Sequence, residues 1–510
     1  MRKNWLAPSR TALVVLLVAC GPGTPDQPWT GTGSEAAAAS ISAADVIERI
    51  GVLAADSMRG RDTPSPELDE VAEWIASEFQ RFGLEPAFAG DYVQRYAIRN
   101  VAPDLTSSRA SLESGGELAF GEDLSFATGP AEGHLRGAVV VVTGEAGWEE
   151  GLGERGLEGR HVVLLPPAGQ VPLRTRTGRQ LLRALRNAGA LSVLVATDVD
   201  RQTFRGDAAL QAQQTAFRLE GESGTPTLAV RQAALAGGFG IDVEALRRPS
   251  EAPLAVTDLP DVVLTLDLAV RVISEARAPN VAGILRGSDP ELRDEYVVYS
   301  AHMDHVGVGA PVDGDSIWNG ADDDASGTAT VMEVAQAFSG LDLAPRRSLL
   351  FLLVSGEEKG LWGSRFFAEH PPVPLSQVAA DLNVDMVGRN WPDTIVAIGR
   401  EHSELGTILA EVNEAHPEIG MTAIDDIWPE ESFYTRSDHF NFARKGVPIL
   451  FFFNGTHPDY HRPSDEVERI DGEKTARIGR LLYYLGLEVA NRTERPEWNA
   501  ASRARIVEGG

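Results

Sequence analysis

Four apolar runs constrain the fold of this chain more than any other feature: Tyr296-Val297-Val298-Tyr299, Leu349 to Val354, Leu382-Asn383-Val384 and Ile449 to Phe453. Helical spacing alternates with them, as from Thr328 to Phe338. Strands without a polar face must be covered on both sides, so the pattern predicts an α/β sandwich, a mixed, mainly parallel sheet between helix layers. Ligands bind such sheets beyond the carboxyl ends of the strands. Polar residues gather there. His302 and Asp304 end the first run, and Glu357 and Glu358 follow the second. Asp385 ends the third, and His461 lies beyond the fourth. Asp322 sits in the loop Asn319 to Gly327, just before a helix.

Nitrogen and carboxylate donors without thiolate suit a hydrolytic zinc site, and manganese or cobalt accept the same set. Taken singly, each has an ordinary reading. His-x-Asp pairs are common on surfaces, and three aspartates before a helix act as a cap. Five such places at the strand exits of one sheet are another matter. Four carboxylates gathered there without a cation would repel one another strongly.

These stretches carry a resemblance. Ser300-Ala301-His302-Met303-Asp304-His305, Asn319 to Gly327, Ser355-Gly356-Glu357-Glu358, Asn383 to Gly388, Ser437-Asp438-His439 and Tyr460 to Asp465 resemble the M28 family of zinc aminopeptidases. Met58-Arg59-Gly60-Arg61 and the helix from Leu68 resemble its N-terminal segment. The resemblance implies the zinc-exopeptidase fold and two zinc ions per chain, roughly 3.5 Å apart as in other two-metal hydrolases. It implies Asp322 as the bridge, with a cis peptide between Asp322 and Asp323. Glu358 and His461 complete one site, and His302 and Asp385 the other. Glu357 is implied as general base and acid toward a water shared by the metals. Asp304 orients His302, Asp465 supports the other side, and the Tyr434 hydroxyl stabilises the oxyanion. The reaction implied is release of N-terminal amino acids from peptides. A carboxypeptidase or dipeptidase, a glutaminyl cyclase and a binding protein that has lost catalysis are the alternatives. The full donor set and both glutamates favour the enzyme. Glu357, Asp425, Asp426 and Glu431 are candidates to hold the substrate amine, and Trp428, Phe433 and Phe452 either line its side-chain pocket or belong to the core.

The remaining sequence sets the organisation. Cys20 is the sole cysteine of 510 residues. Arg2 and Lys3, an apolar stretch from Thr11 to Ala19 and then Cys20 resemble a bacterial lipoprotein signal, so residues 1–20 read as signal peptide and 21–40 as a flexible tether. Export to the cell envelope with a lipid anchor at Cys20 follows, with plain secretion as the alternative. Residues 41–105 and 266–495 read as one discontinuous peptidase domain, and 496–510 as a tail. Residues 106–265, rich in short β runs such as Ala138 to Val142, read as an insert without chemistry of its own, similar to a protease-associated (PA) domain. With 46 Lys+Arg against 74 Asp+Glu, the net charge of -28 argues against nucleic acid as a partner. Peptides are the expected partners, and the membrane only through the anchor.

Overall fold

In the computed structural model, residues 33–144, 152, 156–166, 173, 175–221, 224–246 and 253–508 are described. Cys20 and the signal-like stretch lie outside them. Among the described residues no helix is long and apolar enough to cross a membrane.

The larger sheet runs in the order Thr422–Ile424, Thr394–Ile398, Ile449–Phe453, Val378–Asp385, Tyr296–His302, Ser348–Val354, Val270–Leu285, Val93–Pro103 and Ala216–Leu219, with Glu85–Pro86 paired beside Val270–Leu285. The four apolar runs are its centre, and they pair in parallel. Outside that centre the pairing turns mostly antiparallel, so parallel strands do not dominate the whole sheet as the sequence suggests.

Both faces of the centre are covered. Val297, Tyr299 and Ala301 pack with Leu349, Phe351 and Leu353 against the helices Ala43–Leu53, Pro66–Phe82, Gly327–Ser339 and Gly472–Asn491. The alternate residues Tyr296, Val298, Leu350 and Leu352 pack on the other face against Phe367, Phe442 and Ile506. Strand alternation therefore divides one apolar sequence between two cores. Helix Pro66–Phe82 shows its start and stop in sequence: Ser65 accepts from the Leu68 amide, and Gly83 ends it at φ 81°.

Val93–Pro103 and Val270–Leu285 form a long antiparallel ribbon, and the intervening chain leaves and returns through the pair Pro103 and Val270. That intervening chain builds a second sheet of eight strands between Arg109 and Leu268, while its strand Ala216–Leu219 joins the larger sheet. Two expectations are corrected. Ser34–Ser40, within the supposed tether, is a helix with Ala37 and Ala38 buried. The C-terminal residues hold a helix, Ala500–Ile506, that buries Ile506 beside Trp498.

One contact is close enough to forbid a methyl group. A Cβ on Gly486 would lie 1.5 Å from the Tyr299 hydroxyl, which is fully buried and donates to the Leu482 carbonyl. Gly486→Ala should lower stability by about 1–3 kcal/mol, read as a shift in the urea midpoint at unchanged slope. An unshifted midpoint would contradict this packing.

Candidate metal centre

Parallel pairing brings the carboxyl ends of the central strands to one level. His302 pairs in register with Val354, and Asp385 with Phe453. The turns beginning at Ser355 and Asn454 therefore leave the sheet beside these two residues. Two groups of donors result, His302, Asp323 and Asp385 in one and His305, Asp323, Glu358 and His461 in the other. Asp323 belongs to both. Its Oδ1 is 3.4 Å from His302 Nε2, and its Oδ2 is 3.1 Å from His461 Nε2. His461 Nε2 is also 3.1 Å from Glu358 Oε2, and His302 Nε2 is 3.7 Å from Asp385 Oδ1.

The bridging position is therefore filled by Asp323 and not by Asp322. The cis peptide likewise joins Asp323 to Asp324. The three consecutive aspartates diverge, each to a separate task. Asp322 turns away, accepting from the Gly388 amide at 2.6 Å and facing His457 Nε2 at 3.2 Å. Asp324 accepts from the amides of His302, Gly327 and Met386. A run of like residues in an irregular turn has no periodicity to fix its phase, which explains the one-residue error. His305, unassigned from sequence, offers a further nitrogen 2.8 Å from Glu358 Oε1. Its signal was a second histidine three positions beyond the strand-end His302.

The donors fit divalent cations. Around a tetrahedral ion with bonds of about 2.0–2.1 Å, donors lie roughly 3.3 Å apart, and the separations here run from 2.8 to 3.7 Å. Glu358 Oε1, Asp385 Oδ1, His461 Nε2 and both His305 nitrogens are buried without an aligned hydrogen bond. Such orphans are costly unless an ion satisfies them. Without metal, protons fill the role. Burial opposes charge on His302, but Asp304, Asp323 and Asp385 raise its pKa well above the ordinary value. His461, also opposed by burial, is raised to about 10 by Asp323 and Glu358. Burial would raise Asp323 too, yet His305, His302 and His461 hold it well below the carboxylate range.

Surrounding groups fix the donors. Arg61, fully buried, donates to the carbonyls of Leu53, Met303, Asn319 and Gly320, tying the His302 loop to the aspartate turn. Burial lowers its pKa to about 10 against the pull of Asp304 and Asp323. Asp304 accepts from the amides of Gly356 and Glu357 and from Thr63 Oγ1. His302 Nδ1 meets the Asp304 backbone carbonyl at 3.1 Å, with the carboxylate Oδ1 at 3.6 Å. Asp465 accepts from the amides of Asp322 and Asp323. Gly356, at φ 71°, has no room for a Cβ, which would meet the Tyr96 hydroxyl at 2.7 Å.

Beside the donors lies a cavity of about 40 Å³, lined by Glu357, Met386, Phe433, Phe451, Phe453 and Tyr460 among others. Phe452 points to the opposite core, because neighbours on a strand face opposite ways. Trp428 sits behind the cavity, edge-on to Phe433 and Phe453. Tyr434 is not in the cavity wall. Its ring packs edge-on to His402 and its hydroxyl is buried without a hydrogen-bond partner. Tyr460, stacked on His461, is the tyrosine that the cavity contains. Asp425, Asp426 and Glu431 lie outside it: Asp425 pairs with Arg400, Asp426 accepts from the Trp428 amide and Glu431 faces Arg436.

Fold and donors together define a centre able to hold divalent cations at the carboxyl ends of the central strands. Residues 280–486, which carry every donor, match the model of Peptidase family M28. A Bacillus subtilis protein named "Aminopeptidase YwaD" is 28% identical over 243 residues, 45% of this chain and 49% of its own. A Leptosphaeria maculans protein described as a probable zinc metalloprotease is 29% identical over 255 residues, 42% of this chain and 58% of its own. The chain thus spans about half the length of the curated relatives it matches. Among solved structures, an aminopeptidase from Aneurinibacillus sp. strain AM-1 aligns over 91% of this chain and 97% of its own, at 17% identity and a TM-score of 0.49.

Two measurements check the centre. Asp323→Asn should lower zinc content by at least one ion per chain, whereas Asp322→Asn should keep it, read by atomic absorption. The reverse result would restore Asp322 as the bridge. Because the neighbouring carboxylates favour the protonated form of His302 and His461 in the metal-free chain, zinc uptake near pH 7.5 should release protons, and affinity should fall as pH falls. Calorimetry in buffers of different ionisation enthalpy reads the count, and proton-neutral binding would refute this assignment.

Proposed function

We propose that the protein is a two-zinc aminopeptidase that removes N-terminal residues from peptides. The observation that carries this reading is the double donor group sharing Asp323, set directly against a small aromatic cavity. A cavity this small, about 40 Å³, suits a single side chain, which favours an exopeptidase. The relatives described as aminopeptidases and zinc metalloproteases support the same direction.

In this reading Asp323, His302 and Asp385 would hold one zinc and Asp323, Glu358 and His461 the other, with His305 beside the second. Zinc held there would supply Lewis acidity toward the scissile carbonyl and the attacking water. Glu357 lines the cavity but belongs to neither donor group. Its carboxylate takes the proton from the attacking water and returns it to the leaving amine. Burial, with Glu358 and Asp438, raises its pKa well above the ordinary value, which suits a group that must hold a proton in mid-reaction. Asp304 anchors the Glu357 amide and so sets the reach of that carboxylate. The Tyr460 hydroxyl replaces Tyr434 as the donor toward the developing oxyanion. Phe433, Phe451 and Phe453 receive the first side chain, and the acidic wall of Glu357 and Asp385 attracts the free α-amine. Lipid anchoring through Cys20, export to the cell envelope and a PA-like insert complete the proposal. The fold of strands 109–268 around its own core supports the last.

Amino-acid anilides, with N-acetylated controls, test the activity. Free-amine substrates should be hydrolysed, with loss on chelation and recovery with zinc. Turnover of the acetylated compounds, or silence on all anilides with zinc bound, would remove the aminopeptidase reading. Glu357→Gln should lower kcat by roughly 10²–10⁴-fold with zinc content unchanged. Loss of zinc with activity would instead make Glu357 a ligand.

A further inference from the structure

The insert shows no metal-type or nucleophile-type cluster in its sequence, yet it lines a cavity of about 550 Å³. Helix Arg176–Asn187 brings Arg179, Arg183 and Arg186 to this cavity. Their spacing, i, i+4 and i+7, places three guanidiniums along one helix face. Arg218, on the strand Ala216–Leu219 that joins the insert to the larger sheet, lines it too. Four arginines thus surround one space in a chain of net charge -28.

Among the described residues the charges of Arg183, Arg186 and Arg218 meet no carboxylate partner. Glu132 is the one acid lining the cavity among the described residues, and it is bonded to Arg99. Arg186 donates to Thr227 Oγ1 and Arg218 to the Pro130 carbonyl, both neutral acceptors. Burial, then repulsion from Arg183 and Arg218, lowers the Arg186 pKa. An anion entering here would relieve that repulsion and gain bidentate hydrogen bonds. Apolar residues share the lining with polar ones: Val101 and Val270 come from the long ribbon, Leu182 and Pro226 from the insert. The volume falls in the range of sites that enclose small ligands.

We propose that this cavity docks an acidic peptide segment, its Asp or Glu carboxylates pairing with Arg183, Arg186 and Arg218 and its apolar side chains filling the space between. Inorganic phosphate would satisfy the charges but leave the apolar part of the lining uncovered; a peptide of mixed acidic and apolar residues covers both. The site is separate from the metal centre and does not rest on the peptidase reading.

The test uses the full chain and a fluorescein-labelled, N-acetylated peptide of alternating Glu and Leu, whose blocked terminus resists release of amino acids. Anisotropy at low salt should show saturable binding. The Gln-Leu counterpart should bind at least tenfold more weakly, and added salt should weaken the acidic peptide's binding. Arg183→Gln with Arg218→Gln should reduce affinity tenfold or more with an unchanged circular-dichroism melt. The exposed single change Arg183→Gln should act in the same direction, and Arg201→Gln, outside the cavity, should have no effect. Equal binding by wild type and the double variant, no binding by the wild type, or binding of pyrophosphate without the peptide would each overturn the proposal.

Discussion

Carboxylates crowded at the carboxyl ends of four strands set the terms for the rest of the structure. Asp323, Asp385, Glu357 and Glu358 meet around two histidine groups in a place where water screens little. Like charges at such depth would drive the ends of the strands apart unless cations or protons intervene. The raised pKa values of His302 and His461 show what the chain does with protons alone. Divalent cations do the same task with higher charge, and the donor spacings of 2.8 to 3.7 Å are the size of their coordination shell.

Holding that cluster demands support from backbone groups more than from ion pairs. Arg61 draws four carbonyls from three segments onto one guanidinium, so its charge faces the carboxylates while its hydrogen bonds fix the loops that carry them. Asp304 and Asp465 act in the opposite sense, each gathering two amides. The result is that the turns bearing Asp323 and Glu357 are fixed through their main chain. The side chains are left free to meet an ion or a substrate.

What sequence reveals of this arrangement follows from what is periodic in it. The central strands and their order of polar exits were legible, since a fully covered strand has an unmistakable apolar run. His302, Glu358, Asp385 and His461 could be placed because each lies at or shortly after such an exit. Asp323 could not be told from Asp322, and Tyr460 could not be chosen over Tyr434, because turns repeat nothing that would fix which way a side chain points. Phe452 fits pocket or core equally in sequence for a related reason. A strand buried on both faces has no polar residue to mark which face meets the site, so Phe451 and Phe453 were indistinguishable from it.

The antiparallel edge of the sheet determines how the two units are joined. Because the insert departs and returns through the paired residues Pro103 and Val270, it is joined at the end of a two-stranded ribbon and not by a single linker. Its strand Ala216–Leu219 adds a third connection by pairing with Val93–Pro103. Hydrogen-bonded ladders resist bending in their own plane far better than one loop does, so the insert is fixed in register to the larger sheet. Val101 and Val270, which line the arginine cavity, belong to that same ribbon. The ribbon then continues through Val281 to Leu285, which pair with Ser348–Val354, the strand that leads into Glu357 and Glu358. A single covalent and hydrogen-bonded element therefore runs from the basic cavity to the strand that presents the acidic centre.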